Sequence, residues 1–246
     1  MDYSQLHGYI VSNKEQRYNN SKLVLDKLGI CSHHYIPLSY KSEAIYTAMV
    51  AYHEGSTKYL TDTYKKVFSN RMAFTDLFQK FIDDKRADMK SWRFFFEDDI
   101  QLHPVLLKNK SLAQAVLARG MEVAAGDGIM YLGICGPRLC KDKTRLLGTF
   151  EASRCAGACT HAFALTKWKT MGFLAYMDKL KTPQNPNITS MYMDQLMRTY
   201  GDQVHKIWVI GSNLKSPQMK NHFGLVYQDR RKFPSIINNK VRESKP

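Results

Sequence analysis

Three consecutive carboxylates follow an apolar run in the segment WRFFFEDDIQLHP, residues 92–104. Adjacent carboxylates repel one another, and burying any of them without a partner costs several kcal/mol. Hard divalent cations such as Mg²⁺ or Mn²⁺ prefer carboxylate oxygens, and such an ion can bridge the protein to the phosphates of a substrate. Glu97, Asp98 and Asp99 are therefore candidates for a metal and phosphate site, with a solvated turn after the strand as the alternative interpretation.

The elements around these carboxylates predict where they lie. RFFF is apolar on both faces, as expected for a central strand, and ligands bind at the carboxyl ends of strands in open α/β sheets. The chain opens with strand, helix and strand patterns in HGYIVSN, RYNNSKLVLDKLGI and SHHYIPLS, with Gly29 as a helix C-cap. This order predicts a parallel sheet with a crossover helix.

The remaining pattern continues this alternation. SNRMAFTDLFQKFIDDK predicts a helix capped by Ser69 or Asn70, and LLKNKSLAQAVLARGMEVAA predicts one helix or a broken pair. GIMYLGICG and KIWVIG predict buried strands, and HAFALTKWKTMGFLAYMDKL predicts a strand that turns into a helix. TPQNPNITS predicts a loop, and MYMDQLMRTYG predicts a helix closed by Gly201. KNHFGLVYQD fits a short strand. We predict a single α/β domain over residues 1–246, with a mixed, mostly parallel sheet flanked by helices.

The chain has a formal net charge of +14, from 36 Lys and Arg against 22 Asp and Glu. This excess is densest in a basic tail at about residues 229–246, and it suggests phosphate-bearing ligands, polyanions or contact with an anionic membrane surface. Candidate phosphate contacts, which would also fit a solvated surface, are Arg71, Lys141, Lys143, Arg145 and Arg230. No apolar run could span a bilayer and no signal peptide pattern is present, so we expect a cytoplasmic location without a transmembrane segment.

The five cysteines are Cys31, Cys135, Cys140, Cys155 and Cys159. Their odd number argues against a disulfide framework, and their spacings do not match the usual zinc-binding patterns. Free cysteine usually packs as a small apolar side chain, so we predict buried free thiols.

Segments quoted above occur in an order typical of one enzyme family. Six segments resemble the motifs of glycosyltransferase family 25, the lipooligosaccharide and collagen galactosyltransferases. They are FFFEDDIQL, HGYIVSN followed by Arg17, FSNRMAFTDLFQKFID, GACTHAFALTKWKTMGFL, YMDQLM and HFGLVYQDRRKFPSI. The resemblance spans about residues 7–237. Asn70 stands where that family has His, and Tyr192-Met193 where it has Pro-Val, which leaves the donor sugar open.

The resemblance implies a GT-A nucleotide-diphospho-sugar transferase fold and an inverting, Mn²⁺- or Mg²⁺-dependent glycosyltransferase. The donor would be a nucleotide-diphosphate sugar, with UDP-sugar expected, and the acceptor a glycan or glycoprotein. The implied nucleotide-sugar-binding residues are Val11, Ser12, Asn13, Arg17, Arg71, Glu97, Asp98, Thr160 and His161. The implied metal ligands are Asp99, Glu97 and His222. Inverting transfer also needs a base to deprotonate the acceptor hydroxyl, and Asp194 is the candidate.

Other interpretations of these residues stay open. His222 could be a surface histidine and His161 a structural one. Asp194 could be an N-terminal helix cap or a partner of the helix dipole. A nucleic-acid-binding protein or metal-dependent nuclease would also combine a basic surface with carboxylates. The aromatic residues fall in strands and helix faces rather than among the basic residues, so no nucleic-acid partner is expected. A non-catalytic sugar- or nucleotide-binding domain is the third possibility.

Overall fold

The computed structural model describes residues 6–180 except 54, 56, 58 and 59, residues 192–205 and residues 207–233. The strands are β1 (Leu6–Val11), β2 (Ile30–Tyr35), β3 (Trp92–Glu97), β4 (Ile100–Leu102), β5 (Ile129–Leu147), β6 (Phe150–Thr166), β7 (Ile207–Ile210), β8 (His222–Gly224) and β9 (Val226–Gln228). The helices are α1 (Glu15–Leu28), α2 (Glu43–Tyr52), α3 (Asp62–Asp83), α4 (Pro104–Leu107), α5 (Lys110–Ala124), α6 (Lys167–Lys179) and α7 (Met193–Tyr200), followed by a π-helical turn (Gly201–His205).

Seven strands form one mixed sheet in the order β2-β1-β3-β6-β7-β5-β8, and β4 pairs with β9 in a small second sheet. β1 is parallel to β2 and β3, whereas β6 is antiparallel to β3, β5 and β7. The predicted α/β class, with a mixed sheet flanked by helices, is confirmed. Because Val11 pairs with Glu97, the carboxyl ends of β1 and β3 lie side by side.

The central position of β3 explains its continuous apolar sequence. Phe94 and Phe96 belong to the apolar cluster on the side of α1 and α5, whereas Phe95 belongs to the cluster on the side of α3, α6 and α7. The Phe95 ring packs against the rings of Phe78 and Phe163, at centroid distances of 5.0 and 5.3 Å. Successive side chains of a strand point to opposite faces, so both layers hold the strand that carries the carboxylates.

The predicted β1, α1 and β2 are confirmed, and their ends position two site residues. Gly29 closes α1 in the left-handed conformation, at φ 74°, as its type predicts. The Ser12 amide donates to the Tyr35 carbonyl at 3.0 Å, which extends the contact between β1 and β2 past the end of β1. Arg17 lies in the first turn of α1, and only 8% of its surface is exposed.

Several predicted boundaries differ from the structure. α3 begins at Asp62, where the Thr61 side chain accepts from the Tyr64 amide, so the predicted cap at Ser69 or Asn70 is wrong. The Ser69 hydroxyl instead donates to the Leu38 carbonyl at 2.6 Å, which attaches α3 to the segment after β2. Gly201 has helical φ and ψ and the chain continues as a π-helical turn, and α2 has no counterpart among the predicted helices. The predicted loop TPQNPNITS and the tail from residue 234 lie outside the described residues.

The prediction of buried free thiols is wrong for all five cysteines, because four are in disulfides and the free one is exposed. Disulfides join Cys135 to Cys159 and Cys140 to Cys155, and Cys31 is free and exposed. β5 and β6 form a long antiparallel hairpin that places cysteines opposite one another although they are 24 and 15 residues apart in sequence. Within the described part of the chain, no helix has the length and apolar character needed to cross a membrane.

Candidate functional site

A cavity of about 620 Å³ lies at the carboxyl ends of β1 and β3. It is lined by nine of the site residues that the family resemblance implies, namely Val11, Ser12, Asn13, Arg17, Glu97, Asp98, Asp99, Thr160 and Asp194. Much of the remaining lining consists of an apolar wall at residues 36–40 and of the side chains of Lys66, Gln228 and Arg230. This volume is typical of a site for a small molecule of nucleotide size.

Asp98 is held by two partners from the beginning of the chain. Arg17 Nη2 lies 2.7 Å from Asp98 Oδ1, and the Ser12 hydroxyl donates to Oδ2 at 2.6 Å. Burial raises the pKa of the Asp98 carboxyl, and the bonds from Ser12 and Arg17 oppose that rise. Asp98 therefore uses both oxygens to fix the loop after β1 against the end of β3.

Glu97 accepts two hydrogen bonds inside the cavity. The Thr160 hydroxyl donates to Oε1 and the Gln228 amide donates to Oε2, both at 2.9 Å. Burial and the neighbouring Asp99 charge raise the pKa of Glu97 to about 8, with a smaller contribution from Asp194. In the absence of a cation, Glu97 therefore keeps its proton at neutral pH.

Asp99 is the least satisfied of the three carboxylates. Its side chain is buried, and its hydrogen bonds come from the Gln228 amide at 3.3 and 3.4 Å, near the upper limit for such a bond. The guanidinium nitrogens of Arg230 and Arg17 lie 3.8 and 4.0 Å from Oδ2. Burial raises the pKa of Asp99, and these two cations oppose the rise. Asp99 therefore has the most oxygen capacity left for a metal ion.

The charges around the cavity fit a divalent cation with a phosphate. Four carboxylates line it, Glu97, Asp98, Asp99 and Asp194, against the guanidiniums of Arg17 and Arg230. Lys66 also lines the cavity, so the four carboxylates, if all are ionised, exceed the three cationic side chains by one charge. A Mg²⁺ or Mn²⁺ ion that binds together with an anionic phosphate would compensate this excess. Both arginines line the cavity, so an anion bound there would lie near two positive charges.

Asp194 enters the cavity from α7. Tyr192 is the N-cap residue of this helix, so Asp194 does not occupy the cap position. It lies in the first turn, where its charge also interacts favourably with the helix dipole, so that alternative stays open. Its Oδ1 accepts from the Gln195 amide at 2.8 Å, and burial raises the pKa of the carboxyl. A raised pKa makes a carboxylate a stronger base, which suits the deprotonation of a hydroxyl.

Three predicted site residues are not among those that line the cavity. Arg71 Nη1 donates to the Tyr52 hydroxyl at 3.0 Å, so this guanidinium packs between α2 and α3. His161 is fully buried, and burial lowers its pKa to about 3. Nδ1 of His222 lies 3.4 Å from Cys135 Sγ, and Nδ1 of His161 lies 4.0 Å from the same sulfur. The two histidines therefore lie next to the Cys135 sulfur of a disulfide whose other residue, Cys159, lines the cavity.

Of the other four predicted phosphate contacts, one lines the cavity and three lie elsewhere. Arg230 lines the cavity, and its Nη2 donates to the Gln228 side-chain oxygen at 2.9 Å. Lys141, Lys143 and Arg145 instead lie on β5, in the half nearer to the turn between β5 and β6. Lys141 and Lys143 are exposed there. No role was predicted from the sequence for Gln228. This residue is 2% exposed, and its side-chain amide donates to both Glu97 and Asp99. A buried amide within the apolar segment LVYQ was the available signal.

Replacing Glu97 by Gln should remove a pH dependence of stability. Folded Glu97 holds its proton up to a pKa of about 8, whereas the unfolded chain releases it near 4.5, so the folded state binds more protons between these values. The free energy of unfolding of the wild type should therefore fall by a few kcal/mol as pH rises from about 5 to 8.

Urea denaturation at pH 5, 6, 7 and 8 without added metal measures this slope. The Glu97→Gln variant, which mimics the protonated side chain, should lose most of the slope. Glu15→Gln, at an exposed glutamate of α1, is the matched control and should keep it. Equal slopes in the wild type and Glu97→Gln would contradict the expectation.

Comparison with protein-family models gave no match to any part of the chain, and no significantly similar sequence was found among curated proteins. The family resemblance given above therefore rests on the sequence motifs alone.

Proposed function

We propose that the chain is a metal-dependent glycosyltransferase of GT-A type that moves a sugar from a nucleotide-diphosphate donor to a glycan or glycoprotein acceptor. The observation that carries this proposal is the cavity at the carboxyl ends of β1 and β3, where four carboxylates lie together with the guanidiniums of Arg17 and Arg230 and the ammonium of Lys66. A donor of this kind brings a diphosphate for the guanidiniums, and its divalent metal balances the carboxylates.

The residues around the cavity divide into two groups in this mechanism. Asp99 and Glu97 would hold Mn²⁺ or Mg²⁺, which stabilises the charge on the departing nucleoside diphosphate. Arg17 and Arg230 bind the phosphates, and Arg17 is oriented by its ion pair with Asp98. Ionised Glu97 requires loss of its proton, so metal binding at neutral pH releases a proton from that carboxyl.

Asp194 acts as the base in this proposal. It lies on α7 and reaches the same cavity as Glu97 from a different element, close enough for its charge to contribute to the raised pKa of Glu97. An acceptor hydroxyl next to Asp194 loses its proton to the carboxylate as it attacks the donor sugar opposite the leaving diphosphate, which inverts the anomeric carbon. The wall at residues 36–40 offers apolar surface to the nucleobase or the acceptor.

The cellular location stays a prediction. A cytoplasmic location was expected from the sequence, but two disulfides are more typical of chains in oxidising surroundings. An enzyme that modifies glycans or glycoproteins is compatible with either location.

Thermal melting tests the proposed ligands. The melting temperature should rise with UDP and Mn²⁺ together more than with either alone. A ligand at about 100 times its dissociation constant increases the free energy of unfolding by about 2.7 kcal/mol. GDP serves as the alternative nucleotide. Asp99→Asn should lose the metal-dependent part of the rise, and Asp83→Asn, at an exposed aspartate of α3, should keep it.

Two outcomes would argue against the proposal. A rise that Asp99→Asn retains in full would place the metal elsewhere. No rise with any nucleoside diphosphate, together with a salt-sensitive rise with single-stranded DNA, would favour the nucleic-acid-binding alternative.

A further inference from the structure

A second group of ligand-type side chains lies on β1 and β2, away from the cavity. In the parallel register of these strands His7 pairs with Cys31, and His33 follows Cys31 by two residues. Residues two apart on a strand point to the same face of the sheet, so the three side chains share one face. His7 is four residues before Val11, which lines the cavity, a separation of about 13 Å along β1.

The geometry of the three side chains fits a metal ion. His7 Nδ1 lies 3.0 Å from His33 Nε2, and one ligand atom from each of His7, Cys31 and His33 lies within 4.8 Å of the others. Two imidazole nitrogens on a tetrahedral zinc, each 2.0–2.1 Å from the metal, are about 3.3 Å apart. Small side-chain rotations would therefore bring all three atoms to bonding distance.

The surroundings favour a soft or borderline metal over Mg²⁺ or Ca²⁺. Two imidazoles and a thiolate are the ligands that zinc prefers, whereas hard cations prefer oxygen. Cys31 is the free cysteine of the five, all of which lie within the described residues, so its sulfur is available. Arg93 brings a positive charge close to both rings, but its Nη2 is paired with Asp84 Oδ2 at 3.0 Å.

We propose that His7, Cys31 and His33 bind a zinc ion through Nδ1, Sγ and Nε2. The thiol S–H bond breaks as the Zn–S bond forms, and the proton passes to solvent. Since Cys31 is exposed, the fourth position of the tetrahedron is open to water. This site is independent of the proposed transferase activity.

A second cluster of ligand-type side chains lies beside the β5–β6 hairpin. Cys135, Cys159 and His222 also place ligand atoms within 4.8 Å of one another. Both sulfurs of that cluster are joined in a disulfide, so they have no thiolate to offer a metal.

The reactivity of Cys31 tests the proposal without any assay of enzymatic activity. In buffer without reductant the two disulfides persist, so alkylation by iodoacetamide reports on the Cys31 thiol. The thiolate is both the nucleophile and the metal ligand, so zinc at about ten times its dissociation constant should slow alkylation about tenfold. A metal bound at the carboxylates of the cavity does not affect this readout.

Variants separate the three-residue site from binding by the thiol alone. His7→Gln and His33→Gln should each abolish the protection while leaving alkylation without zinc unchanged. His34→Gln, on the same strand but the opposite face, should retain it. Circular dichroism melting of each variant without zinc checks that it folds. Co²⁺ added to the wild type should give a thiolate-to-metal charge-transfer band, which needs no variant.

Two results would overturn the proposal. The first is alkylation at the same rate with and without zinc in the wild type. The second is protection that survives both His7→Gln and His33→Gln, which would mean that zinc binds the thiol without the imidazoles.

Discussion

Replacing Asp194 by Asn is expected to lower the rate of sugar transfer by about 10²- to 10⁴-fold, the range that general base catalysis contributes. Asparagine keeps the size of the side chain, and its oxygen can still accept from the Gln195 amide, so α7 should fold as before. The amide cannot take a proton from the acceptor hydroxyl. Binding of UDP with Mn²⁺ should therefore be unchanged, and the loss should appear in kcat.

The measurement is release of nucleoside diphosphate from a panel of UDP- and GDP-sugars, with and without candidate acceptors. Asp202→Asn is the matched control, because Asp202 is an exposed aspartate just after α7 that pairs with Arg138 outside the cavity. Its activity should stay within a factor of a few of the wild type. If Asp194→Asn transfers sugar at the wild-type rate, Asp194 is not the base.

The Arg17→Met variant is expected to lose about 3–5 kcal/mol of stability, which is the usual effect of removing one partner from a buried ion pair. The side chains of Arg17 and Asp98 are each only 10% exposed, and methionine leaves the Asp98 charge buried with Ser12 as its remaining hydrogen-bond donor. The ring of Phe233, whose centroid lies 5.4 Å from the guanidinium carbon, also loses its cationic partner. Urea denaturation at pH 7 measures the loss.

Two further variants separate this effect from the loss of any arginine. Arg119→Met breaks the exposed ion pair with Glu122 on α5 and should change stability by less than about 1 kcal/mol. Adding Asp98→Asn to Arg17→Met removes the orphaned charge and should restore part of the stability. A loss below about 1 kcal/mol in Arg17→Met would show that the ion pair is not buried in solution.

Local sequence patterns were sufficient to predict the part of the fold that carries the acidic motif. The opening strand, helix and strand were predictable because Gly29 and the apolar spacing act within a few residues. β3 was predictable because a strand covered on both faces must be apolar on both, and its end at Glu97 followed from the first carboxylate. Eight of the nine predicted site residues that line the cavity lie at or just after the carboxyl ends of β1 and β3 or in the first turn of a helix there, whereas Thr160 lies within β6, which pairs with β3.

What the sequence did not reveal depends on contacts between distant segments. The role of Gln228 follows from its bonds to Glu97 and Asp99, which lie 131 and 129 residues earlier. The disulfide pairing depends on the register of the β5–β6 hairpin, which the spacing of the cysteines does not specify. The start of α3 was missed because Ser69 has the residue type of a cap but bonds the Leu38 carbonyl.

The bond between Gln228 and Glu97 also bears on how the protein is made. At translation rates of about 5–20 residues per second, the 131 residues between them take on the order of ten seconds to synthesise. During that interval the nascent chain carries its acidic motif without the amide of Gln228 or the guanidinium of Arg230. Contacts over such separations form late and slow folding. Ribosome-bound chains should therefore lack a finished cavity until the segment with Gln228 and Arg230 has been made, and affinity for the proposed donor should arise only then.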